Sequence, residues 1–329
     1  MSSGYSLPIV SGMSLHQPHV LSTLSILGAL ASPALAADMP MPKIEGDWTR
    51  IAAPPELERY AKAGVQAVDF TIFQAADGTW QLVSCIRGTS APGGGRLLYR
   101  WESPSLTQAD WTAKGIFKEA DPALGHTLGT LQAPYCVRDG DTWWMFCNSN
   151  GAQCLTSTDG KTFTWAVNQQ KSGKFFDMGR DVMIFDNRAT DGQWYAWYTD
   201  IRKSAYPLRN DHTVSYRRAE HLDGRWSASV DVGVLTPDAE LDQKYNFADA
   251  ESPFIIKRGE CYYRWEHMDV YASRSLTDWK AAPRVQLVPG RRHAYLAPEI
   301  VDDHGVSYIA AYGDYGRTGI FIARLGWSE

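Results

Sequence analysis

One phrase recurs five times along this 329-residue chain, and its period restricts the fold more than any other feature. It is a short apolar run, a turn, a second run rich in Trp and Tyr, and a closing Trp. Asp69-Phe-Thr-Ile-Phe leads through Asp77-Gly78 to Trp80-Gln-Leu-Val, and Ala133-Pro-Tyr-Cys-Val through Asp139-Gly140 to Trp143-Trp-Met-Phe. Asp181-Val-Met-Ile-Phe leads through Asp191-Gly192 to Trp194-Tyr-Ala-Trp-Tyr, and Glu251-Ser-Pro-Phe-Ile-Ile through Gly259 to Tyr262-Tyr-Arg-Trp. Ala297-Pro-Glu-Ile-Val leads through His304-Gly305 to Tyr308-Ile-Ala-Ala-Tyr. The closing residues Trp111, Trp165, Trp226, Trp279 and Trp327 are spaced by 54, 61, 53 and 48 residues. A repeat near fifty residues made only of strands and turns predicts a five-bladed β-propeller, all-β, with four-stranded antiparallel blades around a central channel.

Each repeat reads as four strands. In the third, Val182–Phe185, Trp194–Tyr198, His212–Tyr216 and Trp226–Val230 are expected to follow one another, with a loop from Asn187 to Gly192. Fourth strands are expected to start at Trp111, Trp165 and Trp279 as well, with the rings filling the gaps between blades. Asp77, Asp139 and Asp191 belong to turns and leave the list of chemical candidates. The last repeat stops near Trp327, short of an outer strand. Gly46-Asp-Trp48-Thr-Arg-Ile is similar to Ala109-Asp-Trp111-Thr-Ala-Lys and is the expected closing strand. Pro55–Tyr60 reads as a short helical turn, and Gly93-Gly-Gly95 as a flexible hairpin.

Innermost strands start near one mouth of a propeller channel, so residues at their heads converge. Asp69, Asp181 and Glu251 occupy that position, while the second and fifth repeats carry Gln132 and Leu296 there. The fold therefore does not require acidity at this place. Acids sharing one cavity push their pKa values apart, leaving one carboxyl protonated and another ionised, as glycosidic cleavage requires. The competing reading is that these acids cap turns or hold a cation.

The net charge of −5 weighs against partners that need a basic surface, nucleic acid and anionic membranes among them. Residues 1–36 read as a signal peptide: Val20–Ala31 is largely apolar and Ala34-Leu35-Ala36 is a small-residue cleavage site. No Lys or Arg precedes Lys43, so the usual basic start of such a signal is missing. The apolar run is too short for a membrane span, which makes the expected location periplasmic or extracellular. Residues 37–46 read as a linker and 47–329 as one propeller domain. The five cysteines show no zinc-site spacing and read as buried thiols rather than as a Cys147–Cys154 bridge.

The chain resembles the five-bladed propeller glycoside hydrolases of family 43 and the fructan-cleaving families 32 and 68 over about residues 47–329. Glu251-Ser252-Pro253, Asp181-Val-Met-Ile-Phe and Ala133-Pro134 carry the resemblance. Phe70 departs from it, because Pro commonly follows the first acid in those families. The resemblance implies that Asp69 is the base or nucleophile, Glu251 the general acid, and Asp181 the carboxylate that holds substrate and tunes Glu251. Arg180 before Asp181 is similar to the pair that grips sugar hydroxyls in the fructan-cleaving families. The resemblance stops short of their first-blade Asn-Asp-Pro motif and of their C-terminal sandwich domain.

A carbohydrate substrate is implied, a pentose furanoside or xyloside before a fructoside. His126, Gln132 and Trp265 join Arg180 as candidate substrate-binding residues, and Asp249 is a rival acid. No cofactor is required. A structural calcium ion on the axis, held by His293, is the one metal implied. Separation of the two carboxyls decides the outcome: roughly 6.5–9.5 Å leaves room for water and inversion, and roughly 5–5.5 Å means direct attack and retention. The resemblance implies inversion. Two further readings use the same scaffold: a carbohydrate-binding propeller without turnover, and a glycoside phosphorylase with Arg180, Arg291 and Arg292 round the phosphate.

Overall fold

The computed structural model describes residues 39–203, 210–233, 250–280, 282–289 and 294–328. The signal read over 1–36, Asp249, Arg291, Arg292 and His293 lie outside these residues.

Strand β1 (Pro42–Ala52) comes first in the chain but belongs to the last blade. Blade 1 is β2 (Gln66–Gln74), β3 (Trp80–Arg87), β4 (Leu97–Ser103) and β5 (Thr112–Lys118). Blade 2 is β6 (Gln132–Asp139), β7 (Thr142–Asn148), β8 (Ala152–Ser157) and an outer position shared by β9 (Thr164–Trp165) and β10 (Lys174–Phe176). Blade 3 is β11 (Arg180–Asp186), β12 (Trp194–Lys203), β13 (Asn210–Ala219) and β14 (Val230–Gly233). Blade 4 is β15 (Pro253–Arg258), β16 (Cys261–Glu266), β17 (Asp269–Ser273) and β18 (Arg284–Gln286). Blade 5 is β19 (Tyr295–Asp303), β20 (Val306–Gly313), β21 (Gly319–Trp327) and β1. The first strands touch in sequence: β2 meets β6, β6 meets β11, β11 meets β15, β15 meets β19, and β19 meets β2. The ring is closed, and the fold is a five-bladed propeller.

Closure comes from β1, which pairs antiparallel with β21 from Pro42–Trp327 to Ala52–Ile320. Because β1 begins at Pro42, part of the segment read as a linker is strand. Trp48 stacks on Tyr295 at 4.1 Å, which ties this strand to the head of its own blade. The amide of Trp111 donates to Ile51 O at 2.7 Å and carries the contact into blade 1.

The turn between first and second strands has a left-handed glycine in every blade: Gly78, Gly140, Gly192, Gly259 and Gly305. In blade 3 the expected loop holds a single helical turn, α1 (Arg188–Asp191), ended by Gly192 at φ 77°. Pro55–Tyr60 is irregular rather than helical.

Two further expectations need correcting. Outer strands start after the closing tryptophans in blades 1, 3 and 4, at Thr112, Val230 and Arg284. Trp226 sits outside its ladder because it fills space between blades, and Trp327 fills such space while staying in its ladder opposite Pro42. Trp226 packs on Phe146 and Phe176 of blade 2, and Trp327 meets Tyr263 of blade 4 edge-on at 4.7 Å. Gly93-Gly-Gly95 is not a loose hairpin but is clamped to the loop before blade 2, with Gly94 N donating to Leu128 O at 3.1 Å.

All five cysteines are free and buried. Among the described residues no helix is long and apolar enough to cross a membrane.

Candidate active site

Four of the five innermost strands are disturbed at the head, and in blade 4 the ladder starts without a slip at Pro253. The first-to-second-strand ladder slips between Val68 and Phe70, Gln132 and Tyr135, Arg180 and Met183, and Leu296 and Glu299. One residue at each head is left-handed without being glycine: Asp69 (φ 35°), Ala133 (48°), Asp181 (57°), Ser252 (55°) and Ala297 (47°). Such a conformation costs about 1–3 kcal/mol for a residue with a Cβ. Since neutral Ala133 and Ala297 share it, the distortion is a property of the propeller rather than of the acids.

The bulges line a central cavity with about 370 Å³ of empty space, to which blades contribute the left-handed residue and those that follow it. Asp69 and Asp181 lie there beside Ala133, Ser252 and Ala297.

This register separates the three acids. Asp69 and Asp181 sit on the left-handed position, whereas Glu251 stands one residue earlier, level with Val68, Gln132, Arg180 and Leu296. Glu251 and Arg180 are thus equivalent residues on neighbouring blades, and they form an ion pair. The same guanidinium lies 3.5 Å from Asp181 Oδ2, so Arg180 bridges the acids of blades 3 and 4.

Thr199 supports Asp181 from the second strand, donating from Oγ1 to Oδ2 at 3.1 Å while accepting from Ser252 N at 3.0 Å. Ser252 Oγ lies 3.5 Å from the same carboxylate oxygen. His267, one residue beyond β16, places Nε2 3.9 Å from Glu251 Oε2.

Burial dominates the electrostatics. It pushes the Asp69 carboxyl up from 3.8 to about 7, helped by the charge on Asp181 and opposed by Arg180, Arg87 and Arg96. Asp181 is also raised, first by burial and then by Glu251, against the pull of Arg180, the Thr199 hydrogen bond and Arg96. Burial raises the Tyr312 phenol far above its ordinary value, and Asp69, Glu251 and Asp181 all add to the shift. Tyr312 pairs with Leu296 at the head of blade 5.

Sequence reading missed Tyr312, Thr199 and His267, which come from second-strand ends. Thr199 and Tyr312 pair with the head residues Arg180 and Leu296, the register that places Cys85 against Val68 and Asn148 against Gln132. His267 follows Glu266, the partner of Pro253. The available signal was position: each closes the aromatic second run of its repeat.

Glu299 was missed too. It lines the cavity, and its Oε1 and Oε2 accept from Thr71 Oγ1 and Ile72 N, each at 3.0 Å. Thr71 Oγ1 in turn accepts from Cys136 N at 3.1 Å, so one chain of bonds joins blades 5, 1 and 2. Burial raises the Glu299 carboxyl well above its ordinary value.

Three further candidates take different places in the blades. Trp265 is fully buried on β16 and fills the core instead of lining a sugar site. His126 is buried against Trp165 at 4.3 Å, and its Nδ1 accepts from Asp121 N at 3.1 Å, a structural role in the loop before blade 2. Gln132 heads β6, opposite Asn148, at the level of Arg180 and Glu251. Among the described residues no group of three His, Cys, Asp or Glu is arranged to hold a metal ion.

No family model and no curated protein matches this chain. Solved structures do match over most of its length, and they define its class: the chain has the five-bladed propeller fold found in glycoside hydrolases. A thermostable family-43 glycoside hydrolase is 15% identical, with a TM-score of 0.58, covering 84% of this chain and 92% of its own. The catalytic domain of the Coprinopsis cinerea GH62 α-L-arabinofuranosidase is 11% identical, with a TM-score of 0.56 and coverage of 85% and 96%. β-1,2-Mannobiose phosphorylase from Listeria innocua is 12% identical, with a TM-score of 0.58 and coverage of 86% and 97%. At these identities the likeness is one of fold.

Proposed function

We propose that this protein is an exported glycoside hydrolase acting on a poly- or oligosaccharide, with Asp69, Asp181 and Glu251 as its chemical groups. The observation that carries this reading is the Arg180 bridge between Asp181 and Glu251, with Asp69 of blade 1 lining the same cavity as Asp181. Asp69 serves as the base that activates water, Glu251 protonates the leaving oxygen, and Asp181 holds substrate and biases Glu251. Water attack with inversion follows from this division of roles.

The ion pair sets a condition on the cycle. A carboxylate held by Arg180 cannot donate a proton, so substrate must first draw the guanidinium onto its own hydroxyls. Glu251 then takes up the proton it delivers to the departing sugar. Asp181, fixed by Thr199, stays to hold Arg180 in its new place. The arabinofuranosidase among the fold relatives supports a pentose furanoside or xyloside as first substrate, with a fructoside second.

Sugar release from arabinans, xylans, fructans and aryl glycosides, measured beside Glu251→Gln, tests the assignment. Hydrolysis by the parent chain should fall at least about a hundredfold in the variant. Activity that survives the change would remove Glu251 from the role of acid.

A further inference from the structure

Arg96 stands at the end of the glycine-rich turn of blade 1, half-buried and one residue before β4. Its backbone is held tightly. Arg96 N donates to Gly129 O at 3.0 Å, beside the bond from Gly94 N to Leu128 O. A Cβ on Gly93 would lie 2.2 Å from Leu128 O, and one on Gly129 would lie 2.5 Å from Gly94 N and from Pro92 O. Two loops meet here backbone to backbone, and only glycine permits the approach. The turn is a rigid mount for the residue that follows it.

What it mounts is a cation beside the acids. Arg87 pairs with Gln66, three residues before Asp69 on β2, which puts this end of blade 1 beside the first acid, and the charge of Arg96 acts on Asp69 and Asp181. The β3–β4 ladder ends at Ile86–Leu97, so Arg87 and Arg96 are the next residues on facing strands. Like charges set opposite each other are destabilising. Arg87 is engaged, donating to Gln66 Oε1 and to Tyr315 O, and Arg180 is engaged by Glu251 and Asp181. Among the described residues the Arg96 guanidinium has no hydrogen-bond or ion-pair partner.

We propose that Arg96, with Arg87 beside it, forms an anion-binding subsite at the head end of blade 1. The group it takes is an oxyanion, either the carboxylate of an acidic sugar or a phosphate. Arginine suits both, because its planar fork matches two oxygens at once. The subsite's place in a reaction rests on the hydrolase reading, but its binding does not.

Calorimetric titration of the full chain with inorganic phosphate, D-glucuronate and neutral D-xylose tests the subsite directly. At least one anion should bind about tenfold or more tighter than xylose. Arg96→Met should remove that advantage, and Arg96→Lys, which keeps the charge and loses the fork, should recover part of it. Phosphate binding alone assigns the subsite to phosphate, glucuronate binding alone assigns it to an acidic sugar, and binding of both supports the shared chemistry. If no anion exceeds xylose, or if Arg96→Met retains the preference with a native melting curve, the proposal is overturned. Should Arg96→Met fail to fold, Arg96→Lys decides: unchanged anion affinity in a natively melting protein would also overturn it. Anion binding without hydrolysis of any glycoside would keep the subsite and sink the hydrolase reading. Hydrolysis without anion preference would do the reverse.

Discussion

The heads of blades 1 and 3 and those of blades 2 and 5 have the same backbone and opposite contents. All four are left-handed bulges, yet Asp69 and Asp181 fill the first pair and Ala133 and Ala297 the second. The neutral heads show that the bulge is how an inner strand turns away from the channel mouth. The acidic heads show what that turn makes available: a carboxyl aimed into a cavity where burial raises its pKa. Strain is supplied by the fold, and the chemistry is added by substitution at two of the equivalent positions.

The pH dependence of stability is the strongest way to break this contrast. The Asp69 carboxyl is raised in the folded chain, so the native state binds the proton more tightly than the unfolded state. Its contribution is fully present below about pH 4 and is lost as pH rises through about 7. Asp69→Asn should therefore stabilise the protein increasingly between pH 4 and 8, by up to roughly 4 kcal/mol. Denaturant melts across that range check it, and a flat difference would mean the carboxyl is not buried as described. If Asp69 is the base, kcat/KM should rise along a limb near pH 7, and a falling limb would make it the acid instead.

A second contrast lies between Asp181, which faces other charges, and Glu299, which meets only neutral donors in its bonds to Thr71 and Ile72. Glu299→Ala should cost about 2–4 kcal/mol in urea unfolding, because it leaves a cavity and two groups without their acceptor. Glu299→Gln should cost less than about 1 kcal/mol, since the amide keeps the shape of a carboxyl whose charge burial disfavours. Equal losses in the two variants would show that a charged carboxylate is needed there.

The smallest effect tests the backbone itself. Ala133→Gly should leave stability unchanged or raise it by about 1 kcal/mol, because relief of the left-handed strain offsets the added freedom of the unfolded chain. A loss larger than about 1 kcal/mol in the same melts would mean that the Ala133 methyl is worth more than the strain.

The inner parts of the blades were legible in the sequence because alternation and Asp-Gly turns are local signals. Outer strands were less so, since Trp226 reads like a strand start but packs on Phe146 and Phe176 of blade 2, and Trp279 is buried ahead of its strand. Register at the heads failed for a different reason. The left-handed residues are Asp, Ala and Ser rather than Gly, so nothing in their identity announces the bulge. Pro134, Pro253 and Pro298 do mark it, each directly after the left-handed residue, with Phe70 and Val182 in the same place in blades 1 and 3. Aligning on that proline level would have set Glu251 beside Gln132, Leu296 and Arg180 rather than beside Asp69.

What the sequence determined by itself was the period, the strand-and-turn character, the number of blades and the acids worth following, because each depends on residues near one another in the chain. Tertiary structure decided the rest. Closure by β1, the pairing of Arg180 with Glu251, the burial of Trp265 and the raised Asp69 carboxyl all arise between residues distant in sequence. Hydrogen bonding, desolvation and charge act through space, so these features exist only once the five blades have closed into a ring.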